Sequence, residues 1–179
     1  MIYKIRVVSD EVDDFRRDIE IDSEATFQDL KDIICETTGF DTNVMSSFFV
    51  CDDSWGSNVE ITLEDMGHDM TRDIYLMKDT RLSEFIEDVG QKLLYTFDYL
   101  GDRSLFLQVK DEEFGRELES PVVVLAKGEA PRQTIDIEEI DAKTQAKINT
   151  TDIFEGDDDF LNDDNYDEDE ISDFEEMNY

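Results

Sequence analysis

Residues 2–40 read IYKIRVVSDEVDDFRRDIEIDSEATFQDLKDIICETTGF, and a change of period within this stretch decides the fold. Over residues 2–8 apolar positions alternate, with Tyr3, Ile5 and Val7 on one side and Ile2, Lys4 and Arg6 on the other, as in a half-buried strand. A polar, acidic turn over 9–14 follows. Residues 15–21, FRRDIEI, set Phe15, Ile19 and Ile21 at strand spacing again, so the two segments pair back as a hairpin. At Thr26 the period lengthens. Thr26 with Asp29 three residues on makes a capping box, and Phe27, Leu30, Ile33 and Ile34 fall on one helical stripe that stops near Gly39. A helix stripe beside a hairpin must bury against the hairpin's apolar face, which is a β-grasp-like opening.

The remaining segments extend that sheet. Ser47–Cys51, SFFVC, reads as a third strand closed by the turn DDSWGS at 52–57, where Trp55 and Gly56 interrupt the run. Residues 58–70 fit neither period, and 74–78, IYLMK, read as a strand. Over Arg81–Val89 the positions of Leu82, Phe85, Ile86 and Val89 predict a short helix. Residues 92–110, KLLYTFDYLGDRSLFLQVK, form the clearest hairpin, with Leu93, Tyr95, Phe97 and Tyr99 facing Leu105, Leu107 and Val109 across a turn at Gly101 and Asp102. It belongs at the centre of the sheet. VVVLA at 122–126 gives a last strand, ended by Gly128–Pro131, and a further helix is expected around 137–147 as a lid over one sheet edge. The fold class is therefore α+β: a mixed, largely antiparallel sheet with two to three packed helices and an acidic disordered C-terminal tail.

Charge divides the 179 residues unevenly. The formal charge is −33, from 49 acids against 16 Lys and Arg. Every base lies within residues 1–150, while 151–179 carry 14 acids and no base. Self-repulsion and scarce apolar area predict a domain over 1–150 and a flexible tail over 151–179. Phe154, Phe160, Tyr166, Ile171 and Phe174 recur among the tail's acids, a pattern suited to docking against a basic-rimmed groove. Such a charge argues against direct nucleic-acid or anionic-membrane binding, which need clustered bases. No apolar run approaches the ~18 residues of a membrane span, and no basic-flanked apolar leader opens the chain. Two cysteines make neither a disulfide scaffold nor a cysteine metal site, so a cytoplasmic protein with reduced thiols is expected.

Little in the pattern supplies chemistry. His68, the only histidine, has Asp69 beside it but no nucleophile motif, and reads as a solvent-facing loop residue. Cys35 and Cys51 read as buried core thiols, and Glu36 beside Cys35 disfavours a thiolate. The acidic run around Asp157–Asp159 lacks the glycine and terminal glutamate of a calcium loop. Asp98 and Asp102 read as caps of turn amides, with a polar cleft beside Arg103 as the functional alternative. Arg16 and Arg17 point to opposite faces of their strand, amid Asp13, Asp14, Asp18 and Glu20 as salt-bridge partners.

Several of these segments, in this order, resemble the plasmid pRiA4b open-reading-frame-three-like family over residues 2–131. YKIRVV with FRRDIEI is similar to its opening strand and aromatic-Arg-Arg motif, TFQDLKDIICETTGF to its helix, and RLSEFI to its Leu-Ser signature. GQKLLYTFDYLGD is similar to its hairpin and VVVLAKGEAP to its closing stretch. The resemblance implies an α+β fold without an established biochemical role. It also implies histidines that this chain lacks: Lys31, Met45 and Ser47 occupy three of those places, and the hairpin runs Asp98, Tyr99, Leu100, Gly101, Asp102, Arg103 to Leu105 without reaching one.

The expectation is thus a non-enzymatic interaction module for a protein with a basic surface. The alternatives are an acidic DNA mimic, or a protein sequestering a basic nucleic-acid-binding partner, and a small metal-dependent enzyme. Candidate interaction residues are Arg16, Arg17, Trp55 and Arg103 in the domain and Phe154, Phe160, Tyr166, Ile171 and Phe174 in the tail. No catalytic, cofactor-binding or metal residue is assigned, and no cofactor.

Overall fold

The opening hairpin forms as its alternation requires. In the computed structural model, which describes residues 1–67 and 73–135, β1 (Ile2–Ser9) and β2 (Arg16–Asp22) pair antiparallel, with Tyr3 opposite Ile21 and Ile5 opposite Ile19. These residues all lie in the first of the chain's two units, Met1–Ile148. Helix α1 (Phe27–Thr38) starts from the Thr26–Asp29 capping box and ends at Gly39, whose left-handed φ of 77° lets its amide return to the Cys35 carbonyl.

The other strands are β3 (Ser47–Cys51), β4 (Ser57–Thr62), β5 (Tyr75–Leu76), β6 (Lys92–Asp98), β7 (Arg103–Glu113) and β8 (Val122–Lys127). They form one eight-stranded sheet in the order β5-β4-β3-β6-β7-β1-β2-β8, antiparallel throughout except for the short β4–β5 pair. The β6–β7 hairpin sits centrally, as its uninterrupted apolar alternation predicts. Helix α1 covers one face. Phe27, Leu30 and Ile34 are fully buried against Ile5, Ile19, Phe48, Tyr95 and Leu107 in one core cluster, where the rings of Phe27, Phe48 and Tyr95 follow one another at 5.4 and 4.9 Å.

Two or three helices are not what the chain forms: α1 is the single α-helix among the described residues. Over Arg81–Val89 only Leu82–Glu84 makes a 3-10 turn. The periodicity there is real, with Leu82 and Ile86 buried and the Ile86 amide bonded to the Leu82 carbonyl, but the Ile86 carbonyl accepts from Tyr3 OH and the Gly90 amide joins β7 at Val109, the two groups a continuing helix would have paired. Long-range backbone pairing wins over a nine-residue helix that must bear its own nucleation cost. The strand at 74–78 shortens to Tyr75–Leu76 for a related reason. Met77 and Thr80 turn away to offer carbonyls to the amides of Gln28 and Phe27, the unpaired first turn of α1. Residues 58–62, ambiguous by pattern, join Ser57 of the expected turn in β4, where Ser57, Asn58 and Glu60 are exposed and Ile61 and Thr62 are buried.

The buried face of α1 is also rotated from the predicted stripe. Lys31 and Cys35 are buried, whereas Ile33 is half-exposed at the side. Lys31 reaches this position because its ammonium donates to the Thr42 carbonyl at 2.8 Å, its stem lying in the core. The predicted helix at 137–147, His68 and the tail all lie outside the described residues.

The rotation sets a rank order of stabilities. Leu30→Ala is expected to cost about 2–5 kcal/mol, the range for a buried leucine, and Ile33→Ala only about 1 kcal/mol. Urea denaturation of the two variants measures both; equal losses would place Ile33 on the buried stripe.

Candidate interaction surface

Two of the three arginines offered as interaction candidates, Arg17 and Arg103, are turned inward. Arg17 lies on the α1 side of β2 and is only 6% exposed. Its Nε donates to Thr37 Oγ1 at 2.9 Å, Nη1 to the carbonyls of Arg16 and Lys127 at 2.9 and 2.7 Å, and Nη2 to those of Thr37 and Gly128 at 3.4 and 3.1 Å. These five bonds use all five guanidinium donors. The plane also lies over the Phe15 ring at 4.5 Å. No carboxylate is among these partners, and burial lowers the pKa of Arg17 from its ordinary value. The compensating field comes from the C-terminal carbonyls of α1, a helix with no base in its own last turn.

Gly128 completes this joint. Its φ is 70°, and a Cβ there would stand 2.3 Å from the Asp14 carbonyl oxygen, so a glycine is required where β8 closes onto the β1–β2 turn.

Arg103 is a second inward guanidinium, 7% exposed. Glu11 takes Nε and Nη2 at 2.6 and 3.0 Å, Asp98 and the Gln133 carbonyl take Nη1 at 3.3 and 3.1 Å, and the Arg132 carbonyl takes the remaining donor. Burial works against its charge, but the bonds to Glu11 and Asp98 outweigh that and raise its pKa. The polar cleft that the turn carboxylates suggested is therefore filled by Arg103 itself. Asp98 also accepts from the Gly101 amide at 3.1 Å, the turn-capping role expected of it.

Arg16 points to the opposite sheet face from Arg17, as strand geometry requires. Arg16 and Arg6 both bond Asp18, at 2.7 and 3.1 Å. Burial pushes the Asp18 pKa up, and the hydrogen bonds from Arg16 and Arg6 more than reverse it, leaving it below the ordinary carboxylate range. Trp55, at φ 64°, folds from the β3–β4 turn onto Phe106 edge-on at 5.0 Å, with the Lys92 ammonium 5.2 Å from its ring. The five tail candidates, Phe154, Phe160, Tyr166, Ile171 and Phe174, lie outside the described residues.

A polar group that residue patterns did not expose sits on the face opposite α1. Ser47 is fully buried there and bonds both Glu60 Oε1, at 2.8 Å, and Tyr99 OH, while Tyr99 also donates to Glu60 at 3.1 Å. Burial pushes the Tyr99 pKa up to about 12. Ser47 and Lys31, two places where relatives were expected to carry histidine, lie on opposite faces of the sheet, because Phe48 beside Ser47 packs on the α1 side. Only cross-strand register, which links Ser47 to Thr62 and Thr96, could have signalled the cluster. Both cysteines are free and buried; burial raises the Cys35 pKa and pushes that of Cys51 up to about 11, so both thiols are protonated at neutral pH.

Concave surface beside α1 is acidic. A groove of about 600 Å³ separates the helix from the start of β8, with Asp29, Asp32 and Glu36 on its helical wall and Ile33, Pro121 and Val123 among its apolar residues. An adjoining hollow of about 330 Å³ shares Asp29, Ser120 and Pro121 and adds Asp22, Glu24 and Glu119. No lysine or arginine lines either one.

The Asp18 pair has a signed pH dependence. A depressed folded pKa contributes stability that is full above the unfolded value of about 3.9 and is lost as pH falls through the folded one. Asp18→Asn should therefore lower the melting temperature at pH 7 and flatten its decline between about pH 5 and pH 2. An unchanged acid limb in the variant would contradict the coupling.

A comparison with solved structures aligns the domain with the crystal structure of a protein of unknown function, MM3350, from Methanosarcina mazei Go1. The TM-score is 0.57 at 18% identity, covering 73% of this chain and 71% of that one, a likeness of fold alone. No curated protein matches. A family model for plasmid pRiA4b ORF-3-like proteins matches residues 1–172, further than the 2–131 over which the motifs resemble it. Since that match spans nearly the whole chain, the protein belongs to the plasmid pRiA4b ORF-3-like family.

Proposed function

We propose that this protein is a non-enzymatic interaction module whose partner is a protein with a basic surface, met in a reducing cytoplasm where two free thiols persist. The observation that carries the reading is the disposition of charge. Arg17 and Arg103 have every donor bonded within the chain, Arg6 and Arg16 share Asp18, and Arg81, Arg116 and Lys4 bond Glu24, Glu20 and Asp111. Carboxylates outnumber bases three to one across the chain and alone charge the lining of the α1–β8 groove. A surface of one sign steers an oppositely charged partner and repels nucleic acid. In this reading Phe154, Phe160, Tyr166, Ile171 and Phe174 add apolar contacts to an encounter that charge begins.

Affinity capture from source cells with the full chain tests it. A basic partner should be retained at about 50 mM salt and largely released at about 300 mM, because screening shortens the reach of surface charge. The full-length variant with alanine at the five tail positions should retain several-fold less. Equal retention at both salts and by both proteins would overturn the reading.

A further inference from the structure

Strand β8 closes one side of the sheet, and its outer edge pairs with no strand among the described residues. Edges of this kind are ordinarily blunted with charge or proline. Val122–Lys127 carries a single charged residue, Lys127, and no proline, and leaves Val122, Val124 and Leu125 exposed by 43, 56 and 39%. Its one irregularity is a register shift against β2 between Asp18 and Ile19, at which Val124 bulges. We infer that β8 is a docking edge, and that it takes an extended segment bearing lysine or arginine at alternate positions as a ninth strand. The inference rests on the interaction-module reading and specifies which surface performs it.

Charge and spacing select that occupant. The groove between α1 and β8 runs beside this edge, with Val123 on its strand side and Asp29, Asp32 and Glu36 on its helical wall. A helix rises about 1.5 Å per residue, so these carboxylates are staggered over roughly 10 Å of axis. Alternate side chains of a strand recur about every 6.7 Å, so two or three basic side chains on one face of a ninth strand span the same length. Asp29 is committed to the α1 cap and Asp32 lies 3.6 Å from the Lys31 ammonium, but Asp32 and Glu36 both project into solvent. Backbone pairing would supply affinity, and alternate side chains directed at the carboxylates would supply selectivity. A second copy of the chain is a poor occupant, because it would bring an identical acidic wall and a formal charge of −33.

The test titrates the full-length, isotope-labelled protein with an alternating Lys-Val heptapeptide and, separately, its Glu-Val counterpart, followed by amide chemical shifts and hydrogen exchange. The Lys-Val peptide should shift and protect amides of Val122–Lys127, perturb α1 from Asp29 to Thr37, and bind about tenfold more weakly at high salt. The Glu-Val peptide should not bind. The double variant Asp32→Lys, Glu36→Lys, placed on exposed helix positions that the fold does not need, should reverse that preference. Lys-Val binding elsewhere, with β8 amides unchanged, would overturn the β8 assignment while sparing the interaction-module reading; no binding at any surface would overturn both. A dimer in sedimentation whose β8 amides are protected without peptide would assign the edge to a second copy and overturn the inference.

Discussion

Arg17 holds three separate pieces of chain in place through neutral acceptors: its own strand, the last turn of α1 and the end of β8. A buried guanidinium is costly unless each donor is met, and here they are met by one hydroxyl and four carbonyls rather than by a carboxylate. The charge is tolerated because the helix end gathers partial negative charge there and because the Phe15 ring shields one face of the plane. The register of β8 against β2, the closeness of Gly128 to Asp14, and the groove between α1 and β8 all depend on this joint. Arg103 does the same at the other end of the central hairpin, drawing Glu11, Asp98 and residues 132–133 together.

These two joints explain how a chain so rich in acid keeps a defined interior. Three of the bases that might have offset the outer charge, Arg17, Lys31 and Arg103, are withdrawn into it, where each one is met by carbonyls or carboxylates. What remains at the surface is mostly anionic, with an apolar strand, its outer edge paired with no strand among the described residues, beside a carboxylate-lined groove. The Ser47–Glu60–Tyr99 cluster follows the same economy: it neutralises polar atoms that the sheet would otherwise bury, and the Tyr99 hydroxyl bridges the β6–β7 turn to β4.

Legibility of the fold followed the range of the forces involved. The opening hairpin, α1 with its capping box, Ser47–Cys51, the central hairpin and the last strand were all readable, since alternation, a cap and turn residues are encoded by near neighbours. The segments that misled were those in which a distant partner decided. The Ile86 carbonyl and the Gly90 amide went to Tyr3 and Val109 instead of pairing in a helix, and the Met77 carbonyl went to the first turn of α1. Burial of Lys31 has no local signature either, since it depends on the Thr42 carbonyl that meets its ammonium.

The candidate surface was less legible than the fold. Arg16 paired with Asp18 as the local charges indicated, and the opposite facing of Arg16 and Arg17 followed from strand geometry. That Arg17 would end against residues 110 positions away, or Arg103 against Glu11, has no local signature. The acidic groove likewise joins α1 to residues 120–123, a juxtaposition made by the β2–β8 pairing. The most direct measurement of these claims is a nitrogen-edited NMR spectrum of the arginine guanidinium groups in the intact protein. Fully bonded, immobilised groups should give Arg17 and Arg103 separate, slowly exchanging Hη signals; averaged, rapidly exchanging Hη signals for either would contradict the account.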